Sequence, residues 1–564
     1  MKTKNGRKSA KRILYFAVPL ILIIAFGFTY SRDKEFDIIK NLDIFYSLFR
    51  ELNLFYVDET NPKHLIESGI EGMLESLDPY TTYIPEEEQK NFAFMTTGEY
   101  GGIGALIRKG GDFPMISEPY EGFPAQKSGL RAGDTIVSID GVTTWSKEIG
   151  QVSEMLKGAP NTSVKLQIKR IGENDIIEKN LVREQISIPN IPYYGIVKEG
   201  IGYIRLSNFT KDAGKEARDV MKNLLDEGIG SVILDMRGNP GGLLIESVNV
   251  TNLFVDKGLE IVSTRGRVKQ WDMTYKTMNQ PLDTAIPVVV LVNRTSASAS
   301  EIVAGALQDL DRAVIIGQKT FGKGLVQTTR SLSYNAQLKV TTAKYYIPSG
   351  RCIQAVDYAN RNEDGSVGYI PDSLIKEFRT KNGRKVYDGG GISPDITIQP
   401  EQPGNITISL YTKNLIFDYA TVYATRHESF HTINSMNFSD DDYNDFLNFI
   451  SDKNYDYITE SSNQLTKLIG IAKNERYYKA AEEEFEALKK KLAHDKEKDL
   501  QTFKEEIKAL ILEEIAGRYY YQKGKIRAAL LNDESLDQAI EICEDSQLYR
   551  SLLTAQNKEE NQEK

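Results

Sequence analysis

The chain of 564 residues contains few cysteines and histidines. The two cysteines, Cys352 and Cys543, lie far apart, which excludes a disulfide framework and a cysteine-rich zinc site. The four histidines are His64, His427, His431 and His494. Since none lies between Glu67 and Arg426, chemistry in that span cannot use a Ser-His-Asp triad, a histidine-bound metal or a histidine base.

Further function classes are excluded by charge and motif spacing. The net charge of −9 argues against non-specific nucleic-acid binding, which needs a basic surface. His427 and His431 are four residues apart, but they lack the glutamate and third ligand of a zinc motif, so a structural or surface role is favoured. We therefore expect no nucleic acid, no metal and no cofactor.

The amino terminus is typical of a membrane anchor. Residues 1–12 hold six basic and no acidic side chains, and residues 13–31 are uncharged and largely apolar. A run of this length can span a bilayer, and the basic segment should stay cytoplasmic. A cleaved signal peptide is the alternative, but no small-x-small cleavage triplet follows the run. The pattern predicts a single-pass bacterial inner-membrane protein whose catalytic part lies in the periplasm or exterior.

Composition divides the remaining chain into four parts. Residues 36–97 have a helical apolar period that ends before Asp78-Pro79. Residues 98–185 are glycine-rich with short strands, and residues 186–400 alternate strands and helices, which indicates an α/β core. Residues 401–564 read as a solvated helical appendage, apart from Asn405–Leu410, which does not read as helix.

The glycine-rich part carries a loop suited to bind a peptide. Tyr100-Gly-Gly-Ile-Gly104 lacks the context of a dinucleotide fingerprint, but its N–H groups could hold a terminal carboxylate beside a strand edge. With Ala125-x-x-Ser-Gly-Leu-Arg-Ala-Gly-Asp134-Thr-Ile-Val-Ser-Ile-Asp-Gly141 it resembles a PDZ domain. The resemblance implies binding of extended peptide carboxyl termini. The predicted contacts are Tyr100, Gly101, Gly102, Ile103 and Gly104.

Three serines are candidate nucleophiles because they lie where a buried strand gives way to a helix. They are Ser296, Ser298 and Ser300, beside helix N–H groups that can stabilise an oxyanion. A helix N-cap is the competing interpretation for a serine at this place. From the residues alone, all three serines and the cap remain open.

With histidine excluded, a lysine is the candidate base. The loop Gly317–Gly324 is one residue short of a P-loop, because Gly324 replaces its hydroxyl residue, so ATP binding is the weaker interpretation. A lysine acts as a base only when neutral, which burial among apolar groups favours. Lys323 has such surroundings, whereas Lys319 has polar neighbours; Gln327, four residues on, can orient the amine. Glu301 is poorly suited as a base.

Several motifs together resemble the carboxyl-terminal processing proteases. They are Asp235-Met-Arg-Gly-Asn-Pro-Gly-Gly242, the segment Val292–Asp309, Thr320-Phe-Gly-Lys-Gly324 with Gln327, Ala343-x-Tyr-Tyr-x-Pro-Ser-Gly-Arg351, and Gly390-Gly-Ile-Ser-Pro-Asp395. The resemblance covers about residues 36–400. It implies a crotonase-like α/β protease core with an inserted PDZ domain, an endopeptidase reaction through an acyl-enzyme, and substrates recognised near their carboxyl termini.

The resemblance also implies residue roles. It places the nucleophile on Ser298, the base on Lys323, the lysine-orienting residue on Gln327, and the oxyanion-hole amides on Gly242 and Ala299. Arg170 is the counterpart of a regulatory basic residue late in the PDZ domain. A lipoprotein activator and a homo-oligomer are further partners to consider, and a catalytically silent PDZ adaptor is the alternative function.

Overall fold

The computed structural model describes residues 35–362, 364–399, 402–430, 437–492 and 495–555. Helices cover most of the first part, as predicted. They are α1 (residues 35–55), α2 (Pro62–Glu75) and α3 (Gln89–Thr97), with a short strand β1 (Thr82–Ile84) between α2 and α3. The Asn61 side chain caps α2 by accepting a hydrogen bond from the His64 amide at 3.2 Å. The predicted helix end before Asp78-Pro79 is confirmed.

The glycine-rich part forms an antiparallel sheet with two helices. Its elements are β2 (Glu99–Gly102), β3 (Ala105–Gly110), β4 (Phe113–Pro119), α4 (Pro124–Lys127), β5 (Thr135–Ile139), β6 (Val142–Thr143), α5 (Ile149–Leu156), β7 (Ser163–Lys169) and β8 (Ile177–Val182). The strand order is β3-β4-β5-β7-β8, with β6 paired to β5. Buried Val152 and Leu156 join α5 to the apolar side chains of this sheet. Among the described strands β3 pairs only with β4, so it ends the sheet.

The predicted α/β core follows. Its elements are β9 (Glu184–Ser187), β10 (Tyr193–Lys198), β11 (Ile201–Arg205), α6 (Ala213–Asp226), β12 (Ser231–Asp235), α7 (Leu244–Thr251), β13 (Glu260–Gly266), β14 (Met273–Lys276), β15 (Val288–Val292), α8 (Ala299–Asp309), β16 (Val314–Gly317), β17 (Leu325–Ser331), β18 (Gln337–Tyr346), β19 (Val356–Arg361), β20 (Val367–Tyr369), β21 (Glu377–Arg379), β22 (Lys385–Tyr387) and β23 (Ile396–Thr397). The three apolar strands predicted from the sequence are β12, β15 and β16.

A six-stranded sheet positions the candidate site. Its order is β10-β11-β12-β15-β16-β23, and every neighbouring pair from β11 to β23 is parallel. Because Asp235 pairs with Leu291, the carboxyl ends of β12 and β15 meet at one edge. The loops that follow these two strands therefore lie side by side. A second sheet joins β14, β13 and β18, with β17 paired to β18.

The carboxyl-terminal part is helical over most of its described length. The helices are α9 (Asn405–Thr412), α10 (Leu415–Arg426), α11 (Asp440–Ile450), α12 (Glu460–Asn474), α13 (Glu482–Leu492), α14 (Lys496–Thr502), α15 (Lys504–Ala529), α16 (Glu534–Glu544) and α17 (Ser546–Leu552). The prediction that Asn405–Leu410 is not helical was wrong. Ile406 and Leu410 lie four apart on one buried helix face, and their burial overrides the β-branched local pattern.

The prediction of a solvated appendage was also wrong for the last two helices. Leu536, Ala539 and Ile542 of α16 and Tyr549 of α17 are buried against side chains of the six-stranded sheet. The spacing of the three α16 residues places them on one face of that helix. This face covers a face of the sheet that would otherwise be exposed to water. Helices α16 and α17 therefore contribute to the packing of the α/β core.

The predicted inner-membrane localisation is corrected. Within the described ranges, no helix is both long and apolar enough to cross a bilayer. Even α15, with 26 residues, carries glutamate or lysine in most of its turns. The basic segment 1–12 and the anchor predicted over residues 13–31 lie outside the described residues.

Candidate active site

Ser298 lies at the junction between the loop after β15 and helix α8. Its backbone has φ 56° and ψ −113°, a conformation that non-glycine residues rarely adopt, immediately before α8 begins at Ala299. Such strain persists only where the surroundings fix it, and it is common at catalytic residues. The side chain is half-buried, so the hydroxyl is both restrained and accessible.

The other two candidate serines have structural roles. Ser296 and Ser300 are fully buried. The Ser296 hydroxyl donates a hydrogen bond to the Met236 carbonyl at 2.9 Å, and the Ser300 hydroxyl donates to the Asn239 carbonyl at 3.0 Å. These bonds attach the end of the loop after β15 and the start of α8 to the loop after β12. Of the three serines, Ser298 alone is placed to meet a substrate.

The Glu301 carboxylate joins the serine to the lysine loop. It is fully buried and accepts four hydrogen bonds. On one oxygen it accepts the backbone N–H groups of Ser298 at 2.8 Å and of Lys323 at 2.9 Å. On the other it accepts the Gly322 N–H at 2.7 Å and the Thr320 hydroxyl at 2.6 Å. The backbones of Ser298 and Lys323 therefore share a single acceptor atom.

Burial of Glu301 also changes the pKa of its carboxyl group. Burial raises the pKa of this carboxyl to about 7, although the hydrogen bonds from Thr320, Lys323, Gly322 and Ser298 act in the opposite direction. Glu301 was missed as a site residue, because from the sequence it was considered only as a base. The spacing Ser-x-x-Glu, which is typical of a helix capping box, was the signal available.

Tyr345 holds the same two segments on a second side. Its buried hydroxyl lies within hydrogen-bond distance of the Ser298 carbonyl, at 3.2 Å, and donates to the Lys323 carbonyl. Lys323 itself is half-buried, whereas Lys319 in the same loop is exposed. Of the two candidate lysines, Lys323 is therefore the more enclosed by the protein.

Gln327 lies on β17, four residues after Lys323. Its side-chain nitrogen donates a hydrogen bond to the Thr341 hydroxyl on β18 at 3.1 Å. This bond fixes the amide group and leaves the amide oxygen as the atom that would accept from an amine. The orienting role of Gln327 stays a prediction.

The predicted oxyanion amides lie beside Ser298. A Cβ atom at Gly241 would meet the Ser298 Cβ at 2.7 Å and the Ala299 nitrogen at 2.8 Å, so the loop backbone passes directly against the serine. Gly242 has φ 148° and would clash with the Phe209 carbonyl if it carried a side chain. In the described part of the chain, neither the Gly242 nor the Ala299 N–H donates to another protein group. Both remain available to a ligand.

The predicted peptide-binding loop connects β2 to β3. Tyr100, Gly101 and Gly102 belong to β2, which pairs with β9, while Ile103 and Gly104 lie in the turn that follows. The carbonyls of Ile103 and Gly104 accept hydrogen bonds from the module itself, but within the described residues their N–H groups donate to none. The turn therefore offers two amide donors at the start of β3.

Arg170 is bound within the glycine-rich module. Its guanidinium donates to both oxygens of the Asp134 carboxylate, each at 2.7 Å, and to the Gly129 carbonyl at 2.8 Å. Asp134 is almost fully buried, so this pair fixes the turn that precedes β5. The predicted regulatory role of Arg170 stays a prediction.

Side chains that could bind a metal ion are not clustered in the part of the chain that the structure describes. Among the described residues, no group of three or more histidine, cysteine, aspartate or glutamate side chains is arranged to hold a metal ion. His427 stacks on Tyr423 with ring centroids 4.0 Å apart, and His431 lies outside the described residues.

Comparison with known sequences adds three family matches. The profile described as peptidase family S41 matches residues 200–360, and a PDZ domain profile matches residues 115–170. A third profile, described as the C-terminal helical domain of a probable PDZ-protease, matches residues 406–543. These matches cover most of the core, most of the glycine-rich module and most of the carboxyl-terminal helices.

Individual relatives agree with these profiles. The carboxy-terminal-processing protease of Bartonella bacilliformis is 36% identical over 374 residues, which are 65% of this chain and 83% of the relative. A probable CtpA-like serine protease of Staphylococcus aureus is 35% identical over 318 residues, 56% of this chain and 62% of the relative. A solved photosystem II D1 C-terminal processing protease is 28% identical and covers 63% of this chain and 92% of its own, with a TM-score of 0.34.

Proposed function

Because the chain belongs to the family of carboxy-terminal-processing proteases, we propose that it cleaves proteins with a Ser298–Lys323 dyad through an acyl-enzyme. It is a serine-type peptidase with a PDZ domain, and proteins or peptides are its substrates. Family membership favours this function over a silent adaptor. The observation that carries the dyad is the Glu301 carboxylate, which accepts the backbone N–H groups of Ser298 and Lys323 on one oxygen.

In the proposed reaction, the neutral Lys323 amine accepts the hydroxyl proton while the Ser298 oxygen attacks the carbonyl carbon of the scissile bond. The N–H groups of Gly242 and Ala299 stabilise the oxyanion of the tetrahedral intermediate. The protonated lysine then donates its proton to the leaving amine, and an ester on Ser298 remains. Water then loses a proton to the lysine and attacks the ester carbonyl, and the lysine returns this proton to the Ser298 oxygen as the ester bond breaks and the carboxylic acid product leaves. Gln327 orients the lysine amine in this scheme.

Substrate recognition is assigned to the PDZ domain. We propose that the carboxylate of a protein terminus binds the free N–H groups of Ile103 and Gly104, while the preceding residues add as a strand to β3. The domain would then hold a protein by its end, and the cleavage site would be a peptide bond farther from the terminus.

A free carboxyl terminus should therefore control the rate of cleavage. An unstructured polypeptide with a free terminal carboxylate should be cleaved about tenfold faster, at subsaturating concentration, than the same polypeptide with a terminal amide, since the amide lacks the charge that the loop binds. Mass spectrometry of the products measures both rates and locates the cleaved bond. Equal rates would overturn tail recognition, and no cleavage of either polypeptide would overturn the proposed function.

A further inference from the structure

The loop that carries Gly242 begins with an arginine held on two sides. Arg237 follows β12, and its guanidinium donates to the Asp235 carboxylate with bonds of 3.0 and 2.6 Å. Asp235 is fully buried and also accepts from Arg205 at 2.7 Å. Burial alone would raise the pKa of Asp235, but the charges of Arg237 and Arg205 outweigh it and lower the pKa to about 2. Asp235 therefore stays ionised and holds one side of Arg237.

The second side of Arg237 is bound by an aspartate 296 residues away in sequence. The two terminal nitrogens of Arg237 donate to the two oxygens of Asp533, at 2.9 and 2.6 Å. The side chains of both residues are mostly buried, with 18% and 14% exposed. A bidentate pair of this kind fixes direction as well as distance. This pair connects the carboxyl-terminal helices to the loop that leads to the predicted oxyanion amide.

Asp533 is itself fixed by the fold. Its side chain caps α16 by accepting from the Leu536 amide at 3.1 Å, and Leu536 is buried against the six-stranded sheet. At the other end of the loop, the Asn239 side chain accepts from the Gly241 amide at 2.9 Å and donates to the Leu206 carbonyl at 2.9 Å. The loop is thus held at its start by Asp235 and Asp533 and near its end by Asn239.

We infer that Asp533 is a positioning residue for the oxyanion loop, acting through Arg237. The carboxyl-terminal helical region then contributes to the geometry of the active site as well as to packing. This inference rests on the proposed function, because it assigns Gly242 to the oxyanion. A displaced oxyanion donor affects the transition state more than the bound substrate, so the loss of Asp533 should lower kcat and leave KM nearly unchanged.

The variant Asp533→Asn tests this inference. Asparagine keeps the helix cap but loses the charge and one of the two acceptor oxygens, so we expect kcat to fall about tenfold with KM within about twofold. Asp533→Glu keeps the charge and should recover part of the loss. Asp537→Asn is the matched control, because Asp537 is an exposed first-turn residue of the same helix, and it should leave kcat within about twofold of wild type.

A second measurement separates positioning from simple stability. The rate at which a peptidyl p-nitrophenyl ester acylates the enzyme should fall about tenfold in Asp533→Asn under conditions where circular dichroism shows the protein fully folded. The double variant Asp533→Asn/Arg237→Lys should then be compared with the two single variants. Its acylation rate should fall by much less than the product of the two single effects, because both substitutions disrupt one contact. Additive effects, or an unchanged kcat in folded Asp533→Asn, would overturn the inference. A failure of the proposed function would give a different result. In that case wild type itself would show no acylation that depends on Ser298.

Discussion

Replacing Lys323 with alanine should lower kcat/KM by about 10²- to 10⁴-fold, the usual contribution of a general base. The proposed reaction uses Lys323 to accept the Ser298 proton, and residues 186–400 contain no histidine that could do so instead. Steady-state cleavage of a fluorogenic peptide measures the effect. The substitution should leave the contacts of Lys323 with Glu301 and Tyr345 in place, because these contacts use its backbone N–H and carbonyl groups.

Lys319→Ala is the matched control for this prediction. Lys319 lies in the same loop and carries the same charge, but it is exposed. Its removal should change kcat/KM by about twofold or less, as for an exposed charge outside the site. Equal losses in the two variants would mean that the loop needs positive charge in general. An active Lys323→Ala would show that another group accepts the proton.

Replacing Glu301 with glutamine should lower kcat/KM by about 10²-fold and also destabilise the protein. The glutamine amide can accept from Ser298 and Lys323 through its oxygen, but its NH₂ group then faces the N–H of Gly322, so a buried donor loses its acceptor. An unpaired buried donor costs about 1–3 kcal/mol, and the displaced loop misplaces the lysine. Peptide cleavage and thermal unfolding monitored by circular dichroism measure the two effects.

Glu216→Gln is the control for losing a carboxylate that binds backbone amides. Glu216 accepts from the amides of Asn190 and Ile191 at 3.0 and 2.9 Å, and it is not part of the candidate site. This variant should lose stability but keep the kcat of the folded enzyme. If Glu301→Gln lost stability and kept full kcat, Glu301 would be a structural residue only.

The pH dependence of unfolding gives Glu301 a second test. Its pKa rises from the ordinary value of 4.5 to about 7, so the folded state holds a proton between these values that the unfolded chain has released. The resulting stabilisation is complete below pH 4.5 and is lost as the pH rises through about 7, with a maximum of about 3 kcal/mol. The melting temperature of wild type should therefore fall, relative to that of Glu301→Gln, between about pH 5 and about pH 8. A constant difference would contradict the raised pKa.

The parts of the site that could be predicted from the sequence depend on local patterns. Apolar runs place β12 and β15, and the residues after them lie at the carboxyl edge of the sheet, as parallel strands require. The choice of Ser298 among three serines needed the family resemblance, because N-capping and nucleophilic serines share one local pattern. Burial of Ser296 and Ser300 supplies a physical reason for the same choice.

What could not be predicted depends on contacts between distant residues. Glu301 gains its role from a loop about twenty residues later, and Asp533 meets Arg237 only after the carboxyl-terminal helices pack on the sheet. The helix α9 was missed because the burial of Ile406 and Leu410 outweighs the strand preference of the β-branched residues in this segment. A lipoprotein activator and a homo-oligomer stay predictions, because one chain contains no partner.

The proposed reaction requires Ser298 to form the covalent ester during cleavage. The most direct measurement is acid quenching of the enzyme with a peptidyl p-nitrophenyl ester, followed by intact-mass analysis and peptide mapping. We expect one acyl group, located on Ser298, in wild type and in Lys319→Ala, and none in Ser298→Ala. An acyl group on Ser296 or Ser300, or substrate turnover that persists in Ser298→Ala, would contradict it.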